Sequence, residues 1–351
     1  MKTILIKGIM KGCGVVNFDD NSQKFALNKL GIKDIIGDDN VKYAKKVFFK
    51  TDNGYDYRVK ISGDCIRKGI FSNSVENVNP MVVKNEIVAC NYFLSPVGIC
   101  RGYLYTNRDE SGYKRKSPLT ITDAIENGNA KSELEIGTTS GDRNSTSMFY
   151  TEKIGEAEYN FKGIIDLKQL MFIVADPLFD RMAINPDWLT TGVAEKVMKN
   201  LYGDKSSPRI GYFTASSKYL TNSIAEFGML LNEELVAHLA KYILANIMKC
   251  SIKRNNAYAS VKSLKIKFVE NIINDKMDDE EGWITINDLN DIANLEIHAD
   301  CPYKEATEKD IELLNSLKND YNDAISTMKE EKKKQKEEKA RKRKEKKESE
   351  S

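Results

Sequence analysis

The chain has 351 residues, 41% of them hydrophobic, which is enough for a buried core in one large domain or two ordinary ones. The net charge of +2 is uneven: Lys329–Ser351 holds twelve Lys or Arg against seven Glu, leaving 42 basic and 45 acidic residues elsewhere, so any polyanion surface must arise from local clustering. No apolar run approaches the roughly 18 residues of a bilayer helix, and Met1-Lys2-Thr3-Ile4-Leu5-Ile6-Lys7 is too interrupted for a secretory core, so a cytoplasmic chain with no membrane partner is expected.

Residues 3–10 read as an opening strand, and the glycines at 12 and 14 then permit a sharp turn. Residues 19–54 are polar, with short elements at 24–30 and 42–50. Tyr57, Val59 and Ile61 alternate as a strand that runs into Ser62-Gly63-Asp64, where Ser62 and Asp64 both suit a helix N-cap. Arg67 and Lys68 fall in or just beyond the first turn. Free amides and two cations facing one way suit a phosphate chain; a capped surface helix with solvated cations is the plainer reading.

Apolar density predicts a helix over 80–95 and a strand over Gly98–Tyr105. Residues 127–160, rich in Gly, Ser, Thr and Asn, read as a long exposed excursion, and one this long is more often functional than idle. Two short apolar runs follow in Ile164–Ala175, then a helix over Val193–Tyr202 and strands at Arg209–Thr214 and Phe227–Leu231. Asn232 caps a helix over Glu233–Lys249, whose Leu235, Leu239, Tyr242, Ile243 and Ile247 form an apolar stripe. His238 on this helix reads as a satisfied, partly buried histidine. Leu264, Ile266 and Phe268 alternate as a last strand.

That order fits an α+β fold with a ferredoxin-like, RRM-like core enlarged by loops. Residues 1–275 are read as the body. Residues 276–328 are read as a helical extension opened by a Thr307/Asp310 capping box, with Ile311, Leu314, Tyr321, Ile325 and Met328 at helical spacing. Residues 329–351 are read as a charged tail, solvated or disordered; its other reading is an arm for nucleic acid or a neighbouring subunit.

Two clusters could carry binding. Arg101, Arg108, Lys114, Arg115 and Lys116 interleave with Tyr103, Tyr105 and Tyr113; cations hold phosphates while aromatic faces stack on bases, and a solvated loop beside core tyrosines is the other reading. Arg143, Ser145, Thr146 and Ser147 could bond phosphate or ribose oxygens, with Met148 or Phe149 as a wedge between bases; Phe149 could equally begin the next strand. Catalysis finds little support, since no nucleophile elbow, Walker lysine or H-E-x-x-H is present. Cys13, Cys65, Cys90, Cys100, Cys250 and Cys301 form no C-x-x-C pair and only two histidines exist, so no metal site and no cofactor are expected; Cys65, Cys90 and Cys250 read as reduced, buried residues.

The stretch Ile61-Ser62-Gly63-Asp64-Cys65-Ile66-Arg67-Lys68 resembles the strand-to-helix motif I-S-S-Q-x-x-K-R of the backbone subunits of CRISPR Cascade complexes, in the RAMP superfamily. Gly12-Cys13-Gly14-Val15-Val16-Asn17, Arg101-Gly102-Tyr103 with Lys114-Arg115-Lys116-Ser117-Pro118-Leu119, and Ser145-Thr146-Ser147-Met148-Phe149 are similar to segments of the compact variant type I-F subunit, in order over about residues 1–270. Gly63-Asp64 replaces the usual Ser-Gln. The resemblance implies an RRM-like palm with a finger-like insertion and a projecting thumb, placed in 127–160. It implies a non-catalytic subunit that polymerises along guide crRNA and presents it to target DNA. Its partners would be crRNA, adjacent copies of itself, other Cascade subunits and target DNA. Asn17, Ser62, Arg67, Lys68, Arg101, Tyr103, Lys114, Arg115, Lys116, Ser117, Arg143, Ser145, Thr146, Ser147 and Phe149 would contact RNA. Two other functions stay open: cleavage of target RNA by a loop aspartate, with Asp142 the nominee, and a scaffold that binds no RNA.

Overall fold

Strand β1 (Thr3–Cys13) runs between two long antiparallel neighbours in the computed structural model, β12 (Ala157–Asp166) on one side and β17 (Ala257–Val269) on the other. The structure describes residues 2–14, 16, 18–19, 41–52, 54–72, 86–105, 112–128, 130, 132–138, 148–176, 182–203, 209–214, 225–254, 257–270, 277, 279–309 and scattered helical positions between 312 and 338. Two compact units divide the chain, Met1–Tyr303 and Lys304–Ser351.

Period-two alternation sets the faces of β1. Ile4, Ile6 and Met10 are fully buried and lie opposite Ile165, Tyr159, Phe268 and Ile266 in the register. Gly8 sits opposite Phe161 on the same face, and a β-carbon there would strike the Phe161 ring. The glycine is what lets that ring, 2% exposed, lie flat over the strand. The other face of β1 carries Lys7, Ile9 and Lys11.

The main sheet has the order β16-β17-β1-β12-β9-β5-β4, with β18 on β17 and β8 on β12. Here β4 is Lys46–Thr51, β5 Gly54–Ile61, β8 Leu119–Ile121, β9 Ala124–Glu126, β16 Ser251–Arg254 and β18 Ile284–Ile286. Helix α1 (Gly63–Ser72) follows β5 and buries Ile66, Ile70 and Phe71. It packs on β16, where Gly69 leaves room for Cys250 and Ile252. The long helix α7 (Glu233–Met248) packs on α1 and β17; Asn232 caps it by accepting the Leu235 amide at 2.8 Å. Leu235, Leu239, Ile243 and Ile247 are buried as their spacing requires, while His238 is exposed, which corrects its expected partial burial.

Helix α2 (Glu86–Leu94) occupies part of 80–95. The expected strand over Gly98–Tyr105 divides instead into helix α3 (Pro96–Arg101) and a short β6 (Tyr103–Tyr105). Ser95 accepts the Gly98 amide at 3.0 Å and Pro96 occupies the first turn, so local capping wins over the apolar run. Gly102, at φ 73°, ends the helix.

Residues 127–160 hold ordered strands, which corrects the reading as loop: β10 (Ser132–Thr138) pairs with β11 (Met148–Ile154), and β11 lies parallel to β3 (Val41–Ala44), which pairs with β2 (Phe18–Asp19). Residues 139–147 between them lie outside the described residues. The run after Ile164 becomes the end of β12, a helix α4 (Leu167–Met171) and β13 (Phe172–Val174). Strands β14 (Arg209–Thr214) and β15 (Ala225–Leu230) pair with each other, and β13 joins β15. Helices α5 (Asp187–Thr190) and α6 (Val193–Tyr202) lie between β13 and β14 in the chain, and α8 (Leu289–Ala293) follows β18. Largely antiparallel sheets with segregated helices make the fold α+β. In the second unit the described positions from Glu308 to Glu338 are helical and exposed; Asp310 of the expected capping box lies outside them.

Candidate nucleic-acid interface

The junction between β5 and α1 is built tightly. A β-carbon at Gly63 would sit 2.5 Å from the Ile121 carbonyl, so only glycine lets the chain turn against β8. Ser62, half-buried, supplies the carbonyl that accepts the Ile66 amide at 3.1 Å and starts the helix. Asp123, in the turn between β8 and β9, accepts the Gly63 amide at 2.9 Å and the Lys60 ammonium at 2.8 Å. Burial opposes ionisation of Asp123, but the Lys60 and Gly63 hydrogen bonds and the charges of Lys60 and Lys45 outweigh it and hold its carboxyl below the usual range. The amides expected to be free at this helix start are corrected at Gly63: a carboxylate from the β8–β9 turn already occupies it.

The cations stay on the surface around this end. Arg67 donates to Asp64 at 2.9 Å across one helical turn, and Lys68 is exposed. Burial pushes the Cys65 thiol up, while Arg254, Lys68 and Lys45 act on it in the opposite sense. Those three charges come from three elements: the β3–β4 link, α1 and the end of β16. Lys45 is held in place by its carbonyl, which accepts the Lys60 amide at 2.8 Å. Lys45 and Arg254 were not among the residues expected from the sequence to bind. Both belong to basic doublets, Lys45-Lys46 and Lys253-Arg254, but nothing in their chain positions links them.

The second cluster is mostly interior. Hairpin β6–β7, with β7 at Tyr113–Arg115, pairs Tyr103 with Arg115, Leu104 with Lys114 and Tyr105 with Tyr113. One face points inward. The Arg115 side chain donates to the carbonyls of Ile99 at 3.0 Å, Phe172 at 2.9 Å and Gln169 at 2.9 Å, and the residue is 6% exposed. Burial pulls its pKa below the usual guanidinium value. Tyr103 donates to the Ala183 carbonyl at 2.8 Å, its ring lies 4.4 Å from that of Phe93, and burial drives its phenol strongly upward. Phe93, Tyr105, Tyr113 and Trp188 complete one aromatic cluster. Ser117 donates to the Cys100 carbonyl at 3.0 Å and accepts the Leu119 amide at 3.1 Å. Arg115, Tyr103 and Ser117, three of the residues expected to contact RNA, have side chains engaged in internal hydrogen bonds. Lys114 and Lys116 are exposed and Arg101 is half-buried.

Asn17, Asp142, Arg143, Ser145, Thr146 and Ser147 lie outside the described residues. Phe149 stands in β11 opposite Gly137. Among the described residues no group of three or more His, Cys, Asp or Glu could hold a metal ion, and no helix is long and apolar enough to cross a membrane.

The family described as "Type I-Fv CRISPR-associated protein Cas7fv-like" matches residues 2–294. No curated protein matches the chain. Solved structures similar to it include a chain of a "CRISPR RNA-guided surveillance complex", 10% identical, covering 77% of this chain and 71% of that one at a TM-score of 0.35. A chain of a "CRISPR RNA-guided surveillance complex, pre-nicking" is 7% identical, covering 77% of each chain at 0.36. A third, from "Cryo-EM structure of the Type III-B Cmr-beta bound to cognate target RNA", is 9% identical over 47% of each chain at 0.26.

Proposed function

Because the chain belongs to the Cas7fv-like family of type I-Fv CRISPR-associated proteins, we propose that it is a non-catalytic Cascade backbone subunit. Copy after copy would line a guide crRNA and present its bases to target DNA. The observation that supports guide binding is the grouping of Lys45, Lys68 and Arg254 around Cys65, next to the first turn of α1. Cations from three elements that act on one thiol suit a sugar-phosphate backbone and read no bases, which is what a subunit serving every guide requires.

The strand order supports an RRM-like palm. Taking β1, β8/β9, β12 and β17 as the four strands and α1 and α7 as the two helices gives the order 4-1-3-2 with each helix between the expected strands. The β10–β11 hairpin, within 127–160, would be the thumb, and β4–β5 with β2–β3 a finger-like insertion.

The test is co-expression with a repeat-spacer RNA. Charge reversal of Arg67 and Lys68 together is expected to abolish the ribonucleoprotein particle while the isolated chain keeps its circular dichroism. Particles that assemble and protect RNA as the parent does would overturn guide binding at α1. Regular Mg²⁺-dependent cuts in complementary RNA would overturn the non-catalytic assignment, and a particle free of nucleic acid would favour a scaffold.

A further inference from the structure

Two basic doublets divide their cations in the same way. Lys45 and Arg254 both act on the Cys65 thiol of α1. Their chain neighbours, Lys46 and Lys253, stand beside exposed tyrosines instead. Lys46, a buried residue, places its ammonium 5.3 Å from the centre of the Tyr57 ring. Lys253, exposed, pairs with Tyr258 in the β16–β17 register, so the two side chains are neighbours on one face. Alternation along the strand explains the division in β16. Ile252 lies against α1 at Gly69, so Arg254 shares the helix side of the strand and Lys253 takes the other.

Exposed aromatic rings are scarce in this chain. Among the described residues three are exposed, Phe49, Tyr57 and Tyr258, and the two tyrosines are the more open, at 42% and 46%. Phe49 lies on the reverse face of the β4–β5 hairpin, in register with Asp56, with the Arg58 guanidinium 5.7 Å from its ring. Tyr57 is steadied by Phe48, opposite it in the register with ring centres 6.4 Å apart. Tyr258 is held by a close approach of β1, where it stands opposite Cys13. A β-carbon at Gly12 would sit 2.8 Å from the Tyr258 carbonyl, so the glycine lets the two strands close. Both rings are therefore fixed at their bases, open to solvent, and one residue in sequence or one register step from the cations at α1.

We propose that Tyr57 and Tyr258 are base platforms of the α1 surface: an unpaired base of a bound RNA strand stacks on each ring while the cations around Cys65 hold its phosphates. Stacking on a ring face accepts any base, which keeps the grip independent of sequence. It also selects a single strand, because the bases of a duplex are already stacked and paired. The proposal rests on guide binding at α1 and adds to it the two residues that grip bases.

The probes are a labelled adenosine homopolymer and a strand of the same length made wholly of abasic ribose phosphate, each titrated against the full chain by fluorescence anisotropy. The parent is expected to bind the base-bearing strand about tenfold more tightly than the abasic one. Tyr57→Ala and Tyr258→Ala are each expected to lose about fivefold on the base-bearing strand and nothing on the abasic one. The slope of log K against log salt stays at the parent's value in both, because no phosphate contact is removed. Tyr57→Phe and Tyr258→Phe keep the ring and are expected to bind as the parent does. Tyr57→Ala also removes a ring contact with Phe48, so its loss is read against its own binding of the abasic strand, which a folding defect lowers equally. Equal binding of the two strands by the parent, parent-like binding of the base-bearing strand by either alanine variant, or a phenylalanine variant as weak as the alanine one would each overturn the proposal and leave guide binding at α1 in place. Arg67→Glu with Lys68→Glu is expected to lose both strands; unchanged binding of both would overturn guide binding at α1 and this proposal with it.

Discussion

Asp123 Oδ1 accepts the Gly63 amide at 2.9 Å, so an acid 60 residues farther along the chain closes the first turn of α1. The same carboxylate holds Lys60 at 2.8 Å, which ties β5, the β8–β9 turn and the helix into one unit. An anion at the amide end of a helix is favourable. It also means that a phosphate strand bound here would meet the cations flanking this end, not the Gly63 amide itself.

The depressed carboxyl of Asp123 makes a pH prediction. An unfolded aspartate titrates near 3.9. A group whose folded value lies lower adds stability above that point and loses it as pH falls through the folded value. Thermal stability of the parent is expected to be flat above about pH 5 and to decline below about pH 4. In Asp123→Asn the part of the decline owed to this group is expected to vanish, together with a lower melting temperature at neutral pH. Parallel curves for parent and variant across pH 3–7 would reject the assignment.

Arg115 is expected to behave as a folding residue. Arg115→Met leaves the carbonyls of Ile99, Phe172 and Gln169 without their donor, at a cost of about 3 kcal/mol or more. Arg115→Lys is expected to recover only part of this, because an ammonium cannot span three carbonyls as a planar fork does. Urea denaturation measures both. Guide affinity at low temperature, where the variant is still folded, is expected to be unchanged.

Gly8→Ala is expected to destabilise the main sheet by about 1–3 kcal/mol through overpacking, since the new methyl meets the Phe161 ring. Phe161→Leu in the same chain is expected to relieve part of that cost. A double-mutant cycle by denaturant unfolding checks it, and additive losses would show that the two positions do not couple.

Lys45→Glu and Arg254→Glu are each expected to reduce guide-dependent assembly several-fold, with little change in melting temperature. Both residues sit at the surface near Cys65. Filter binding against a generic RNA across a salt series measures them. A salt slope unchanged from the parent in both variants would remove them from the interface.

What can be read locally is what local forces decide. The strand into α1, the Asn232-capped α7 and the alternation of β17 follow from periodicity and short-range capping, and each stands near its expected place. The family was legible too, since it rests on the order of short motifs along the chain. Local apolar content misled at Gly98–Tyr105, where a Ser95 cap and Pro96 turned an expected strand into a helix. Polar content misled at 127–160, where strand pairing organises residues that look like loop.

Composition and spacing settle which residue types are available: arginines, lysines and tyrosines in clusters, glycines at tight approaches, no metal-binding spacing. Which of them face solvent is set by strand pairing and packing. Arg115 and Tyr103 are as basic and aromatic as any candidate, yet their hairpin turns them inward onto backbone carbonyls. Lys45 and Arg254, some two hundred residues apart, both act on the Cys65 thiol, and Lys7, Lys162 and Lys265 form a row because antiparallel register sets them opposite one another. Charge and hydrogen bonding act through space over a few ångströms, so a surface made of distant segments exists only once strand order and register have been set.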